Sequence, residues 1–180
     1  VAVELLWHTP SVTSRFEDTG IVSQEQCAEI GMVGPAARAS GATRDVRTDH
    51  PFGAFRSTRI PVMTSETGDV QARAAVRWLE MKQSILFIEA LLRELPSTPL
   101  SAPLGPLSED SLAISLVEGW RGEICHVALT DGGGRFLRYK VVDPSFHNWQ
   151  ALALALRGEE ISDFPLCNKS FNLSYCGHDL

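Results

Sequence analysis

No run of lysine or arginine in this 180-residue sequence exceeds an isolated pair, and the formal net charge is −6. That leaves no electrostatic footprint for a nucleic-acid backbone, and no nucleic-acid partner is expected. Long apolar runs are missing as well: charged residues interrupt every hydrophobic segment before the roughly 20 residues that a membrane-spanning helix requires. Cysteine is sparse. Cys27, Cys125, Cys167 and Cys176 form no C-x-x-C pair, which predicts neither a disulfide framework nor a zinc ribbon and fits a reducing compartment. There is no P-loop, no G-x-G-x-x-G after a strand and no G-x-S-x-G, so nucleotide cradling and serine hydrolysis lose their usual signatures. The opening "VAVELLWHTPS" has no charged region followed by an apolar one, so no signal peptide is predicted; a start on Val1 reads as a processed, trimmed or partly disordered beginning.

What is present is enough apolar residue for one substantial core, 44% of the chain. Four of the ten prolines fall in "LPSTPLSAPLGPLSED", Leu95 to Asp110, where neither a helical ladder nor strand pairing persists. The expected organisation is a helical segment with an Arg/Gly-rich loop over 1–95, a proline-rich linker over 96–110, and a sheet, helix and tail over 111–180, together one structural domain. Ser23 and Gln26 make a capping box for a short helix through Ile30. "GMVGPAARASGATRDVRTDHPFGAF" reads as a structured loop. From about 69 to 95 the pattern is helical: Ala74, Trp78, Met81, Ile85, Ile88 and Leu92 form a stripe that needs a partner, while Arg73, Arg77, Glu80 and Arg93 lie largely on other faces. "EICHVALT" and "RFLRYKVV" predict a β-hairpin with Asp131 to Gly134 at its tip, and 111–117 adds a third antiparallel strand. "HNWQALALALRG" fits a helix stopped by Gly158. The fold class is therefore α+β, a long core helix and shorter helices with a small three-stranded antiparallel sheet.

Three places could carry chemistry. Arg38, Arg44 and Arg47, interleaved with Gly34, Gly41 and Asp45, could hold an anionic ligand or a partner carboxylate, or be salt-bridged against Asp18 or Asp69. In "GWRGEICH", Arg121 could stabilise developing negative charge while Glu123 or His126 moves protons; the plainer reading is an Arg–Glu pair closing a strand end. In the tail, Cys176, His178 and Asp179 lie within four residues, but a mononuclear metal normally takes three or four ligands from separated segments, so no metal is expected. His8, His50 and His147 have no partner at a recognisable spacing and read as surface or hydrogen-bonded histidines.

Taken together, "GMVGPAARASGATRDVRTDHPFGAF", "GDVQARAAVRWLEMKQSI", "VEGWRGEICH…TDGGGRFLRYKVVDPSFHNW" and "ISDFPLCNKSFNLSYCGHDL" resemble, in order, the C-terminal half of two related proteins. These are the large subunit of membrane-linked nickel-iron hydrogenases of the formate hydrogenlyase type and the 49 kDa subunit of NADH-quinone oxidoreductase, respiratory complex I. The resemblance implies a longer protein with an N-terminal portion, docked on a small iron-sulfur subunit that holds the clusters. In the hydrogenases two C-x-x-C pairs hold nickel and iron; in complex I those cysteines are gone and the cavity takes a quinone headgroup.

Placed on this tail, the hydrogenase cysteine positions fall on Ser174 and Gly177, Asp179 keeps the acidic place, and Cys176 stands one residue off. The resemblance therefore implies a degenerate nickel-iron site, with Ser174, Cys176 and His178 lining a cavity. By the same matching Arg121 inherits the cavity position, His126 matches a histidine of that segment and Asp179 keeps the acidic place, with Trp120 where the family has proline; together with Glu123, singled out above, they are the candidate catalytic residues. Arg38, Asp45 and Arg47 match a complex I loop and are implied as cavity-wall or interface residues. The expected protein is a subunit of a hydrogenase-like or NADH-quinone oxidoreductase-like complex, binding no metal itself and serving electron transfer or a quinone cavity. It would sit on the cytoplasmic side of the membrane through its complex, and self-associate when isolated. The alternatives are a fragment of an active nickel-iron hydrogenase and a non-catalytic scaffold.

Overall fold

The computed structural model describes residues 2–95, 97 and 101–178. Two short helices, α1 (Ala2–Trp7) and α2 (Pro10–Phe16), open it, and neither is signalled by periodicity. α3 (Gln24–Glu29) begins in the expected capping box, with Ser23 Oγ accepting from Gln26 N–H and the Gln26 side chain accepting from Ser23 N–H. The Arg/Gly-rich segment holds α4 (Gly34–Arg38), α5 (Val46–Asp49) and a 3-10 turn over Gly53–Arg56. The long helix is α6 (Val70–Arg93), started by Asp69, whose carboxylate accepts from Ala72 N–H at 2.7 Å.

Three antiparallel strands follow, β1 (Leu112–Gly119), β2 (Gly122–Thr130) and β3 (Phe136–Val142), in the order β1-β2-β3. The first hairpin closes on the pair Gly119–Gly122, and the second has a register shift at Leu129/Thr130. At the tip of the second hairpin the Asp131 carboxylate accepts from the N–H groups of Gly133 and Arg135, which lowers its pKa. α7 (Pro144–Ala155) has Asp143 as N-cap and proline at its first position. A 3-10 turn (Ile161–Asp163) leads into α8 (Phe164–Phe171), which ends on left-handed Asn172, and α9 (Tyr175–His178) closes the described chain. The linker expected over 96–110 lies partly outside the described residues; from 101 to 108 the chain has no helix or strand.

The core packs α3, α4, the start of α6, α7 and α8 around Val22, Cys27, Met32, Ala37, Leu152 and Phe171. Burial raises the thiol pKa of Cys27 and of Cys167, which marks both as packing residues. The sheet comes into close backbone contact with this body where Gly34 meets the β1–β2 turn: a Cβ at Gly34 would stand 2.3 Å from Gly122 Cα. Asn148 of α7 clamps the same region, its side chain accepting from Val33 N–H and donating to Val33 carbonyl, both at 3.1 Å.

The long helix turns two of its arginines inward and leaves the far end of its apolar stripe exposed. Its buried side is built from Val70, Ala72, Arg73 and Val76, with Arg73 fully buried, whereas Ile85, Ile88 and Leu92 of the apolar stripe are more than half exposed. Arg73 and Arg77 turn inward because the neighbouring segments offer backbone carbonyls at their tips: Arg73 donates to Gly68 and Gly20, Arg77 to Phe171. Ala74 and Trp78 at the start of the stripe are partly covered, whereas Ile85, Ile88 and Leu92 at its far end stay largely exposed among the described residues. Among those residues, no helix is long and apolar enough to cross a membrane.

Candidate functional site

The arginine-rich segment and the long helix meet in a buried ionic network. Arg38 has no exposed surface; its Nε donates to Glu80 at 2.6 Å, and its Nη1 donates to Glu118 and to the Arg44 carbonyl, each at 2.9 Å. Asp45, also fully buried, lies 3.6 Å from Arg38 and accepts two bonds from the Arg47 side chain, at 2.9 and 2.6 Å. Asp18 and Asp69, expected as the salt-bridge partners of this segment, are engaged elsewhere: Asp69 accepts from the Asp18 N–H and caps α6. Three carboxylates thus surround two guanidiniums, and Arg77 adds a third positive charge near Glu80.

Titration follows from this packing. Burial alone would raise the Asp45 pKa, but the Arg47 hydrogen bond and the charges of Arg38 and Arg47 overcome it and hold the carboxyl below its ordinary value. Burial opposes the charge on Arg38, yet the Glu80 hydrogen bond and the three carboxylates keep its pKa raised. At Glu118 burial wins over Arg38 and pushes the carboxyl up. Arg73 and Arg77, surrounded by carbonyls rather than carboxylates, are lowered to about 10 by desolvation.

Two clefts adjoin the network, sharing Arg77, Met81 and Trp120 as their common wall. One, about 420 Å³, is mostly apolar and is faced by Trp7, Phe16 and Trp78. The other, about 410 Å³, is lined by the charged Arg47, Glu80 and Glu118 together with Ile85 and Ile88. A lining that mixes fixed charges with apolar side chains suits a ligand with a polar head.

The residues of "GWRGEICH" do not converge. Arg121 turns to the end of α8, where its Nε donates to the Asn172 carbonyl. Glu123 is held by Arg44 through bonds of 2.6 and 3.0 Å, a pairing of rim charges rather than the expected pairing with Arg121. His126, three residues further along β2, lies on the opposite face of the sheet from Glu123 and meets the Tyr139 hydroxyl at 2.8 Å.

In the tail, Ser174 Oγ accepts from Gly177 N–H at 3.0 Å, and Ser174 N–H donates to Ser145 Oγ at 2.9 Å. Gly177 sits hard against α7: a Cβ there would stand 2.4 Å from the Asp143 carboxyl carbon. Cys176 is exposed, and the His178 ring stacks on Phe146 at 5.8 Å. Asp179 lies outside the described residues. Among those described, no three His, Cys, Asp or Glu side chains are grouped to hold a metal ion.

The sequence profile described as "Respiratory-chain NADH dehydrogenase, 49 Kd subunit" matches residues 2–110 and 105–179. The chain belongs to that family. Among 49 kDa relatives and their kin, it is 35% identical over 171 residues to the carbon monoxide-induced hydrogenase of Rhodospirillum rubrum, covering 94% of this chain and 47% of that protein. It is 32% identical over 162 residues to an NADH-quinone oxidoreductase subunit of Solibacter usitatus, covering 89% of this chain and 44% of that one. Formate hydrogenlyase subunit 5 of Escherichia coli is 31% identical over 173 residues, covering 96% of this chain and 30% of its own. The chain thus spans less than half the length of these curated relatives. Its fold matches a chain in the structure of the membrane-bound sulfane sulfur reductase, an archaeal respiratory membrane complex. The TM-score is 0.90 at 25% identity, over 98% of this chain and 50% of that one.

Within this 49 kDa-type fold, the structure gathers Arg38, Asp45 and Arg47 into one network, and Ser174 and Gly177 into one capped turn. It leaves Glu123 and His126 apart from both. Sequence reasoning passes over Glu80, Glu118 and Arg77 as site residues, although they complete the network and the cleft wall. A signal exists for two of them: Arg73, Arg77 and Glu80 stand at i, i+4 and i+7 on one face of a helix whose apolar stripe runs elsewhere. Glu118 gives none, since its partner lies 80 residues away.

Proposed function

We propose that this chain forms the C-terminal part of a 49 kDa-type large subunit in a membrane redox complex, and that its tail walls an electron-acceptor cavity without a nickel-iron centre. The carrying observation is the commitment of the two tail positions that match hydrogenase cysteines. At Ser174 the side-chain oxygen is spent on Gly177 N–H. At Gly177 there is no side chain, and a thiol-bearing Cβ would collide with Asp143. A nickel-iron pair needs several sulfurs aimed at one point, and this donor set does not fit it. Cys176, one place away and exposed, points its thiol from a different position on the helical turn.

The names of the relatives support the redox setting; the charged cleft beside Ile85 and Ile88, a separate feature that no tail residue lines, would suit an acceptor with a polar head and an apolar body, such as a quinone. In this reading the iron-sulfur clusters belong to a small partner protein of the complex, and the chain is peripheral on the cytoplasmic side. Residues 1–180 act as one structural unit of the larger subunit.

A second reading, a non-catalytic scaffold, draws on the engagement of Arg38, Glu123 and Arg121 within the chain. The two are separated by the Gly177→Val variant in the assembled complex. The cavity reading expects assembly to be retained and acceptor reduction to be lost, because the enlarged residue displaces the tail. Full turnover with a displaced tail would leave only the scaffold.

A further inference from the structure

We propose that Arg77 and Arg121 are positioning residues for the carboxyl-terminal tail, gripping the end of α8 from two different elements. The last carbonyls of a helix have no partner within it and carry partial negative charge, so guanidiniums are suited to them. Here three consecutive carbonyls are taken: Arg77 donates to Ser170 and, at 2.9 Å, to Phe171, and Arg121 donates to Asn172. Arg73 supplies the floor, its Nε on Ser170 Oγ at 2.8 Å and its guanidinium 4.3 Å over the Phe171 ring.

The grip falls where the chain changes direction. Asn172 is left-handed at φ 54°, ψ 45°, and from it the tail runs to Ser174 and the α9 turn. Arg77 reaches this reversal from the long helix and Arg121 from the β1–β2 turn, which is itself fixed by the Gly34–Gly122 contact. Arg77 keeps its Nε buried without a partner among the described residues, while its two terminal nitrogens reach the Ser170 and Phe171 carbonyls and, at 3.2 Å, the Arg73 carbonyl of its own helix. Arg121 therefore acts through the tail, and its functional consequence rests on the reading of that tail as a cavity wall.

The test uses the intact protein in its complex, with Arg121→Met and Arg77→Met, which keep the apolar stem and remove the donors. Amide hydrogen exchange should rise about tenfold or more at Ser174 and Gly177, while the β2 amides of Cys125 to Leu129 stay unchanged. Unchanged exchange at Ser174 and Gly177 would overturn the proposal, and so would an equal rise across β2, which would mean general loosening. Should one variant fail to assemble, the other carries the comparison. Acceptor turnover is measured on the same samples. A loosened tail with turnover intact upholds the positioning role and refutes the cavity reading, so the two fail separately.

Discussion

Replacing Arg38 by methionine removes the one guanidinium, among the described residues, that touches all three carboxylates of the buried network. Arg38 makes four donor contacts, two to Glu80, one to Glu118 and one to the Arg44 carbonyl, and an ion pair with Asp45. The stem of methionine fills much of the same space, so the cost is mainly that of leaving Glu118 buried without its counter-charge, while Asp45 keeps its pair with Arg47 and loses only the added charge of Arg38. Breaking a buried ion pair from one side costs about 3–5 kcal/mol. The loss should depend on pH. Asp45, held low in the native protein, contributes stability above its unfolded value of 3.8 that is lost as pH falls through its lower folded value. Glu118, held high, favours the fold below its unfolded value of 4.5 and costs stability as pH rises through its raised one. Without Arg38 both carboxyls shift upward, so protonation relieves the variant and its deficit shrinks from pH 7 toward pH 5. Urea unfolding of wild type and variant across that range measures it. A deficit below about 1 kcal/mol, or one of constant size, would refute the assignment of Arg38 as the counter-charge. Adding Glu118→Leu to Arg38→Met should recover part of the loss, because an apolar pair is tolerated where a lone charge is not.

Other outcomes follow from the same contacts. Gly34→Ala forces a Cβ onto Gly122 Cα at 2.3 Å in a backbone of φ 69°, and should lower the thermal midpoint by several degrees, corresponding to about 2 kcal/mol or more. Asn148→Ala removes both bonds to Val33 and should cost about 2–3 kcal/mol in chemical denaturation; a neutral result would show that the Val33 backbone finds other partners. Ile85→Ser with Ile88→Ser alters side chains more than half exposed, so chain stability should change by less than about 1 kcal/mol. In size-exclusion chromatography the same pair should reduce self-association of the isolated chain, and an unchanged elution profile would show that this face is not the sticky one.

Much of the architecture is legible because its signals are local. Asp69 three residues before Ala72 and Ser23 three before Gln26 each place a helix start, and alternation in "EICHVALT" and "RFLRYKVV" sets the hairpin; the helix expected over "HNWQALALALRG" instead begins three residues earlier, at Pro144 after the Asp143 cap, and ends at Ala155 before Gly158. The predicted helix over 69–95 is Val70–Arg93. The short helices α1, α2, α8 and α9, and α4 and α5 within the segment expected to be a loop, escape such reading because four to eight residues carry too few periods. The site is legible by residue type but not by pairing. Arg38 stands out as a fixed charge, yet its partners Glu80 and Glu118 lie 42 and 80 residues away, and nothing in the spacing distinguishes them from Asp18 or Asp69. The inward turn of Arg73 escapes for a related reason: hydropathy assigns an arginine to water, and only the tertiary fold shows the carbonyls of Gly20 and Gly68 waiting at its tip.

Elemental analysis of the native complex purified through this protein tests most directly whether the tail closes without nickel. Iron from partner clusters should be present and nickel at background. Nickel in a one-to-one ratio with the chain, lost when Cys176 is changed to alanine, would contradict it.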